Sequence, residues 1–565
     1  MLLAGCKNNT GQSGVQSTNT DVAEQTSERP SDGPGTSFSP VSYVDPFIGT
    51  DGMGHTFPGA CVPFGGVQVS PDTDTIPHNV AGKYQSEVYS LCAGYRYSDN
   101  TITGFSHTHL SGTGHSDLGD VLLMPTVGNL HLNPGTAAQP EAGYRSRFSH
   151  DSETATPGYY AVTLADYGIR AEVTATTRTA RHRYTFPAPD SERHLVADLS
   201  HGIYNYEGKT LWASVRMHGD NLLTGYRITQ GWARERYTYF AIRFSRPVKE
   251  YGYKESVPSA YNGFWRKFKV NRNFPEMAGR GIVCWFDFDW DGATDNTLEV
   301  EVALSSTSVE GALKNLAAEA DGRSFDEIAE AAAADWNREL GKLSATGSDD
   351  QLRMLYTSLY HTMINPSIYS DVDGAYRGLD GEIHHSGGDN YTVFSLWDTY
   401  RAEHPLLLLM HPGRAHDMAA SMLEHQQQSA HGLLPIWSLM GNEGWCMSGY
   451  HAVSVLSDVV AYDLEALKNG PSLATQLAFG ATVVKEGQQI SPRSCLEAMT
   501  ATATVPYLEG LGAYIEKGYV PLESSSTGAS TTLEYAYDDW TIYRTAERLG
   551  QKETAETYRQ RALNY

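Results

Sequence analysis

From Val41 to about Val302 the apolar residues fall at alternate positions in short runs, each broken by Gly, Pro, Asn or Asp. The clearest runs are Tyr159–Leu164, Ile169–Thr176, Arg183–Phe186, Leu195–Leu199, Thr238–Phe244 and Leu298–Leu304. A period of two puts every second side chain on one face of a strand, and many short strands at close spacing predict a β-sandwich over residues 41–307. Near Val309 the period changes. Ala312–Leu340 is rich in Ala, Glu and Leu and holds no Pro, which predicts linker helices within 308–345.

Beyond Leu343 the pattern is helical nearly throughout. Helices are expected over Gln351–Met363, Thr392–Met410, Arg414–Gln428, Gly449–Leu467, Leu473–Glu486, Leu496–Lys517, Ser530–Leu549 and from Glu553 to the end. The loops between them carry Trp, Asp, Asn and Glu. Long helices joined by such loops fit a toroid of helical hairpins whose funnel is built from loop residues, an (α/α)6 barrel over residues 346–565. About eight helices are visible by periodicity, against about twelve for six closed hairpins. The pattern is still helical at Tyr565, so the expected barrel is incomplete at its C-terminal side.

A chain of 565 residues exceeds what one hydrophobic core serves, in keeping with several domains. Its 42 Lys and Arg against 66 Asp and Glu give a net charge of −24, a field that repels phosphate backbones and anionic lipid and excludes nucleic acid as the partner. No apolar run approaches the ~20 residues that cross a bilayer. Met1-Leu2-Leu3-Ala4-Gly5-Cys6 resembles the end of a bacterial lipoprotein signal, with Cys6 as the lipidation site, and the Ser-, Thr-, Gly-, Asn- and Gln-rich stretch to Pro40 reads as a disordered tether. The expected location is the periplasm or cell surface of a Gram-negative bacterium, with membrane contact only through that anchor. Cys61, Cys92, Cys284, Cys446 and Cys495 show neither metal-site nor disulfide spacing. With 34 Tyr and 10 Trp, the chain has ample rings to line a site for an uncharged, ring-shaped ligand, although ordinary core and surface roles account for most such residues.

Five blocks carry candidate chemistry. Val44-Asp45-Pro46-Phe47-Ile48-Gly49-Thr50, then Gly52–Ala60 and Pro63-Phe64-Gly65, form a tightly turned loop holding His55 and Phe64. It is either a structural turn or a backbone brought close to a ligand. In Gly104–Gly114, His107 and His109 have the spacing of a strand-borne metal pair, but no third ligand is evident nearby, so a metal role is the less favoured reading. Phe394–Arg401 sets Trp397, Asp398 and Arg401 at a helix start, as a capping acid with an ion pair or as a sugar platform with a hydroxyl acceptor. Leu439–His451, with Trp445, is a Gly-hinged loop at the expected funnel rim or an ordinary connection. Finally Ser530–Trp540 places Glu534 in the first turn after a Ser530 or Thr531 cap, with Asp538 one turn further on the same face. There Glu534 is either a first-turn acid serving the helix dipole or a positioned proton donor.

Taken together and in order, FIGTDGMGHTFPGACVPFG, GFSHTHLSGTG, SLWDTYR, MGNEGWCMSGYHA and TLEYAYDDW resemble glycoside hydrolase family 92 along the whole ordered chain. The resemblance implies an N-terminal β-sandwich on an (α/α)6 barrel and calcium-dependent exo-α-mannosidase activity with inversion, releasing terminal mannose from mannose-containing glycans. It implies Glu534 as general acid and Trp397 and Asp398 as grips on the terminal mannose, with Arg401, His55, Phe64 and Trp445 as further substrate contacts and Ca2+ as cofactor. The metal ligands are not assigned. The family's general base and its E-G-N-x-W-Q-Y block, which helps form the calcium and sugar site, find no counterpart in this sequence. Inversion places two carboxyls on opposite faces of the sugar, about 6.5–9.5 Å apart, and Asp538 is too near Glu534 on one helix to be the second. Two rivals follow from the same residues: a non-catalytic, lipid-anchored glycan-binding protein, or another sandwich-plus-toroid carbohydrate enzyme such as a phosphorylase, which needs clustered Arg or Lys beside the acid.

Overall fold

The structure is a computed structural model that describes residues 39–114, 117–187, 192–257, 267–270, 272–469 and 490–565. The lipidation box with Cys6, the tether up to Phe38 and the expected helix Leu473–Glu486 lie outside these residues.

Two large antiparallel sheets make the first half. One has six strands in the order Ser70–Asp72, Gly104–Ser106, Leu122–Val127, Arg193–Asp198, Ile282–Phe288 and Val248–Glu255. The other has nine, from Glu276–Gly279 through Thr210–His218, Leu222–Thr229, Arg236–Phe244, Thr297–Ser305, Thr179–Thr185, Ile169–Ala175 and Tyr159–Leu164 to Thr154–Thr156. The alternating side chains of both close on one core, with Leu123, Val196 and Phe286 from the first sheet meeting Val173, Ile242 and Val300 from the second. That is the expected sandwich. Burying each such side chain stabilises the fold by about 1.5–3 kcal/mol.

The outer face of the nine-stranded sheet is covered by helices α1 (Val309–Glu319) and α2 (Phe325–Leu340). Small side chains make the contact close: Ala241 and Ala303 of the sheet meet Ala312, Leu316 and Ala320. Ser324 and Glu327 form a reciprocal capping box at the start of α2, and the Arg183 guanidinium lies over Phe325 at 4.2 Å. At the other end of α2, the Trp336 indole donates to the Cys61 carbonyl at 2.7 Å, tying the N-terminal loop to the helical region.

The helical region contains α3 (Asp349–His361), α4 (Leu396–Thr399), α5 (Glu403–Met410), α6 (Pro412–Gln428), α7 (Ala452–Asn469), α8 (Pro492–Thr502), α9 (Leu511–Lys517), α10 (Gly528–Arg548) and α11 (Lys552–Arg561). One apolar core joins Tyr356, Leu407, Met418, Leu456, Met499, Leu511, Tyr535 and Tyr558. The expected helix Thr392–Met410 is broken. Val393 takes a positive φ of 65°, short strands precede α4, and Ala402 (φ −148°) separates α4 from α5. The expected helix Leu496–Lys517 is likewise two, parted by a turn through Pro506 and a left-handed Gly510. The final helix closes at Arg561 and does not run through Tyr565. Within the described residues no helix is long and apolar enough to cross a membrane.

Candidate functional site

Helix α10 begins two residues earlier than the sequence suggests. Gly528 is its first residue, and Thr527 precedes it without a side-chain cap bond. A β-carbon at Gly528 would sit 2.5 Å from the Val520 carbonyl oxygen, so glycine lets the helix start close against that segment. Glu534 therefore lies in the second turn rather than the first, where the pull of the helix dipole toward the ionised form is weaker.

Around Glu534 two other segments converge. From α4, the Trp397 indole N–H donates to Glu534 Oε1 at 3.1 Å. Arg401, just beyond α4, reaches the same oxygen at 3.5 Å while its guanidinium lies 4.8 Å from both the Trp397 and the Tyr400 rings. From the start of α7, His451 Nε2 stands 3.5 Å from Glu534 Oε2, and its Nδ1 stands 2.8 Å from Asp538 Oδ1. Tyr400 stacks on the His451 ring at 4.2 Å. Asp538 has no exposed surface, and its second oxygen accepts the Tyr450 backbone N–H at 2.7 Å. Burial, foremost, pushes Asp538 above the usual carboxylate range; the bonds from His451 and Tyr450 oppose this and the charge of Glu534 adds to it. The Glu534 carboxyl itself stays 15% exposed, enough to be met by a ligand from the open side.

The other candidates are placed unequally. Asp398 is exposed beside Trp397, with one oxygen held by Ser395 Oγ at 2.6 Å. His55 is buried with φ 52°, its Nε2 meets no hydrogen-bond partner among the described residues, and its ring stands edge-on to Tyr89 at 4.9 Å. Burial leads in raising the Tyr89 phenol, and the charges of Cys446 and Asp398 contribute, so this N-terminal loop borders the site. Trp445 (φ 53°) is part-buried against His431, in a loop pinned by the buried Glu443 carboxylate, which accepts the N–H groups of Ile436, Trp437 and Trp445. That loop reaches α10 where Thr531 Oγ1 donates to Ser448 Oγ at 3.3 Å. Phe64 is not a site residue. It has no exposed surface and its ring is enclosed by His411, Tyr391 and Arg414, so it serves the core.

The His107–His109 pair does not act as a pair. His107 donates from Nδ1 to the Val121 carbonyl at 2.6 Å and accepts at Nε2 from His182, which in turn accepts from the Tyr184 hydroxyl. This chain requires neutral rings, and burial lowers His107 to about 4. His109 instead faces Gln68 O and Asp72. No group of three or more His, Cys, Asp or Glu able to hold a metal ion occurs among the described residues, so the pair has no third side-chain ligand of those types for zinc.

Sequence reading missed His451, Tyr400 and Tyr450. Only the packing of α7 against α10, through contacts such as Thr545 Oγ1 donating to Ser457 Oγ at 2.9 Å, brings His451 to Glu534. It also passed over Glu403, the first residue of α5. Burial, then the charge of Asp398, pushes this half-buried acid up to about 8. A carboxyl whose folded pKa is raised costs stability as pH rises from its unfolded value, about 4.3, toward 8. Glu403→Gln should therefore match wild type in Tm at pH 5 and exceed it at pH 9, by at least about 2 °C. An equal Tm at pH 9 by differential scanning fluorimetry would show that the acid is not desolvated.

Two family models match the chain, the glycosyl hydrolase family 92 N-terminal domain over residues 43–305 and the glycosyl hydrolase family 92 catalytic domain over residues 311–565. Among solved structures, a family GH92 alpha-mannosidase from Bacteroides thetaiotaomicron is 39% identical, with a TM-score of 0.82 over 94% of this chain and 65% of that one. A family GH92 inverting mannosidase from Bacteroides thetaiotaomicron VPI-5482 is 28% identical, with a TM-score of 0.73 over 94% and 65% of the two chains. An uncharacterized secreted glycosidase from Arthroderma benhamiae is 25% identical over 557 residues, 93% of this chain and 62% of that protein. The chain thus spans less than two thirds of the length of these relatives.

Proposed function

Because this chain belongs to glycosyl hydrolase family 92, we propose that it serves to hydrolyse terminal non-reducing α-linked mannose from glycans, with inversion and with Glu534 as the general acid. The observation that carries this is the meeting of Trp397 Nε1 and Glu534 Oε1 at 3.1 Å, which sets an aromatic face and a part-exposed carboxyl side by side. The Trp397 face takes the apolar side of a sugar ring, and Asp398 accepts from neighbouring hydroxyls through the oxygen that Ser395 leaves free. Glu534 gives its proton to the oxygen of the leaving group as the bond to the sugar breaks. A second carboxylate on the opposite face takes a proton from the attacking water. Asp538 is unsuited to that second role, since it is fully buried and bound to Tyr450 and His451 behind Glu534.

Calcium enters only through the resemblance, and no step here runs through an ion. Export is in keeping with the secreted glycosidase from Arthroderma benhamiae, and anchoring at Cys6 extends that idea. A phosphorylase is less well supported. Arg401 is the cation beside Glu534 among the described residues, while Arg544 is paired with Glu547 at 2.7 Å.

One assay, on the chain extended by the C-terminal block that the resemblance implies, separates the possibilities. Incubated with an α-mannoside, that protein should release free mannose in phosphate-free buffer; EDTA should abolish the release and added calcium should restore it. Mannose 1-phosphate formed only with phosphate would favour the phosphorylase, and sugar binding without release would favour the binding protein. Full activity in excess chelator would remove calcium.

A further inference from the structure

The sandwich half holds a cavity that the chemistry at Glu534 does not use. It measures about 790 Å³, inside the range of about 300–1,000 Å³ found for ligand sites, and is lined by Arg145 and by residues within 74–79, 135–137 and 205–207. Its backbone is strained. Asp74 has φ 38°, and Tyr204, next to the third segment, has φ 54°, a left-handed conformation that a side chain of that size rarely takes. Such strain persists only where the surroundings impose it, and it gathers at ligand clamps. Arg145, 2% exposed, helps to impose it by donating to the carbonyls of Thr73 and Asp74.

What the cavity offers a ligand follows from its polar groups and its rings. The half-buried Asp74 carboxyl accepts no hydrogen bond among the described residues, while Asn205 spends its amide nitrogen on the Ser200 carbonyl at 3.2 Å and keeps its oxygen. The His78 and Tyr206 rings stand 5.2 Å apart, and the Tyr206 hydroxyl is fixed by donating to the Gln230 carbonyl at 3.0 Å. Burial, with the charge of Lys209, lowers His78, so this imidazole is neutral at physiological pH. Charges of both signs, Asp74 and Glu207 against Arg145, favour a neutral ligand over an ion of either sign. Acceptors beside ring faces are the complement of a pyranose, which has hydroxyls at its rim and apolar C–H faces.

We propose that this cavity is a second sugar site: a neutral pyranose lies against His78 and Tyr206 and donates its hydroxyls to Asp74 and Asn205. The site holds sugar without cleaving it, and does so whether or not Glu534 acts as an acid. A hairpin of Asn79–Val80 and Lys83–Tyr84, turned through Ala81 (φ 52°) and Gly82 (φ 80°), joins it to the surroundings of Glu534. Tyr84 meets the His78 ring at 5.2 Å. Burial, then the charges of Cys92, Cys446, Tyr84 and Asp398, raise the Tyr89 phenol, so Tyr84 and Asp398 both lie near that one ring. Where the proposed mannosidase reading holds, the occupant is a further unit of the glycan whose end meets Trp397 and Glu534.

Binding tests this without turnover. The chain carrying Trp397→Ala and Glu534→Gln neither grips nor cleaves a sugar beside α10, yet titration with α-linked mannotetraose should still show one site. Adding Tyr206→Ala should weaken that site at least about tenfold, whereas Tyr206→Phe, which keeps the ring, should bind within about twofold of its parent. Asp74→Asn, which suits a left-handed backbone, should weaken it by about fivefold through loss of the charged acceptor. Hydrogen exchange locates the site in the same protein: residues 74–84 and 202–209 should slow when mannotetraose is added. That measurement decides the matter even if Tyr206→Ala fails to fold. Loss of all binding in the Trp397→Ala, Glu534→Gln chain would overturn the proposal, as would no slowing of those two segments at saturating sugar. Unchanged binding in folded Tyr206→Ala would also overturn it, and so would the same slowing produced by calcium or inorganic phosphate in place of the sugar. Failure to release mannose is a separate result, which bears on Glu534 and not on this cavity.

Discussion

Glu534→Gln should lower kcat by about 10²–10⁴-fold on a mannoside with a poor leaving group and far less on an activated aryl mannoside, with KM little changed. The site geometry makes the substitution nearly silent structurally. The amide oxygen takes the place of Oε1, where it still accepts the Trp397 indole N–H, and the amide nitrogen takes the place of Oε2, facing His451 at about the same distance. Shape, packing and the Trp397 bond survive, and the transferable proton is lost. An alcohol of high pKa leaves poorly without that proton, whereas an activated phenolate departs as the anion, so the loss must scale with leaving-group pKa. Equal loss on both substrates would exclude Glu534 as the acid. An unchanged rate on both would place the proton donor elsewhere.

Much of this was legible in the sequence where local pattern and tertiary demand agree. Tyr159–Leu164 is a strand with the bounds its alternation gave, because it is paired on both sides, with Ile169–Ala175 and Thr154–Thr156, and turns one face to the core. Alternation was harder to see in Thr210–His218 and Leu222–Thr229. Their outer faces carry Trp212, Arg216 and His218 partly in solvent, and a register shift near Leu211 breaks the period. The helical run Thr392–Met410 was legible in composition but not in conformation. Its interruption by Val393 at φ 65° opposes local preference and is set by what surrounds it, including Met440 N–H donating to Thr392 Oγ1 at 2.7 Å. The same holds for the site. Glu534 and Trp397 stand out in their own blocks, and Asp538 is visible as a same-face neighbour of Glu534. The approach of His451 to Glu534 depends on the packing of α7 on α10, and no spacing within one segment contains it. Phe64 shows the converse error, since a Gly- and Pro-rich loop around an aromatic looks alike whether the ring meets a ligand or, as here, the core.

The largest loss of stability is expected from Asp72→Asn, about 3–5 kcal/mol near pH 6. Asp72 ends the edge strand of the six-stranded sheet, is 1% exposed, and gives one oxygen to each of two buried histidines, His109 Nε2 and His201 Nε2, both at 2.9 Å. It thereby joins the strand Ser70–Asp72 to the loops that follow Ser106 and Asp198. Burial alone would raise this acid, but the charges and bonds of His109 and His201 outweigh it and hold it well below the usual carboxylate range. Burial would likewise lower His201, and the bond and charge of Asp72 reverse that and raise it. The signs define a window. A depressed carboxylate contributes stability above its unfolded pKa, about 3.9, and loses it as pH falls through the folded value. A raised histidine contributes stability below its unfolded pKa, about 6.5, and loses it as pH rises through the folded value. The clamp is therefore strongest between about pH 4 and 6.5, and the gap between wild type and Asp72→Asn should narrow on both sides of that range. Urea denaturation at pH 3.5, 6 and 9 measures this, provided the slope of the transition is the same in both proteins. A gap of constant size across the three would mean that Asn fails by shape and not by charge, and no gap at pH 6 would show that the two histidines do not depend on Asp72.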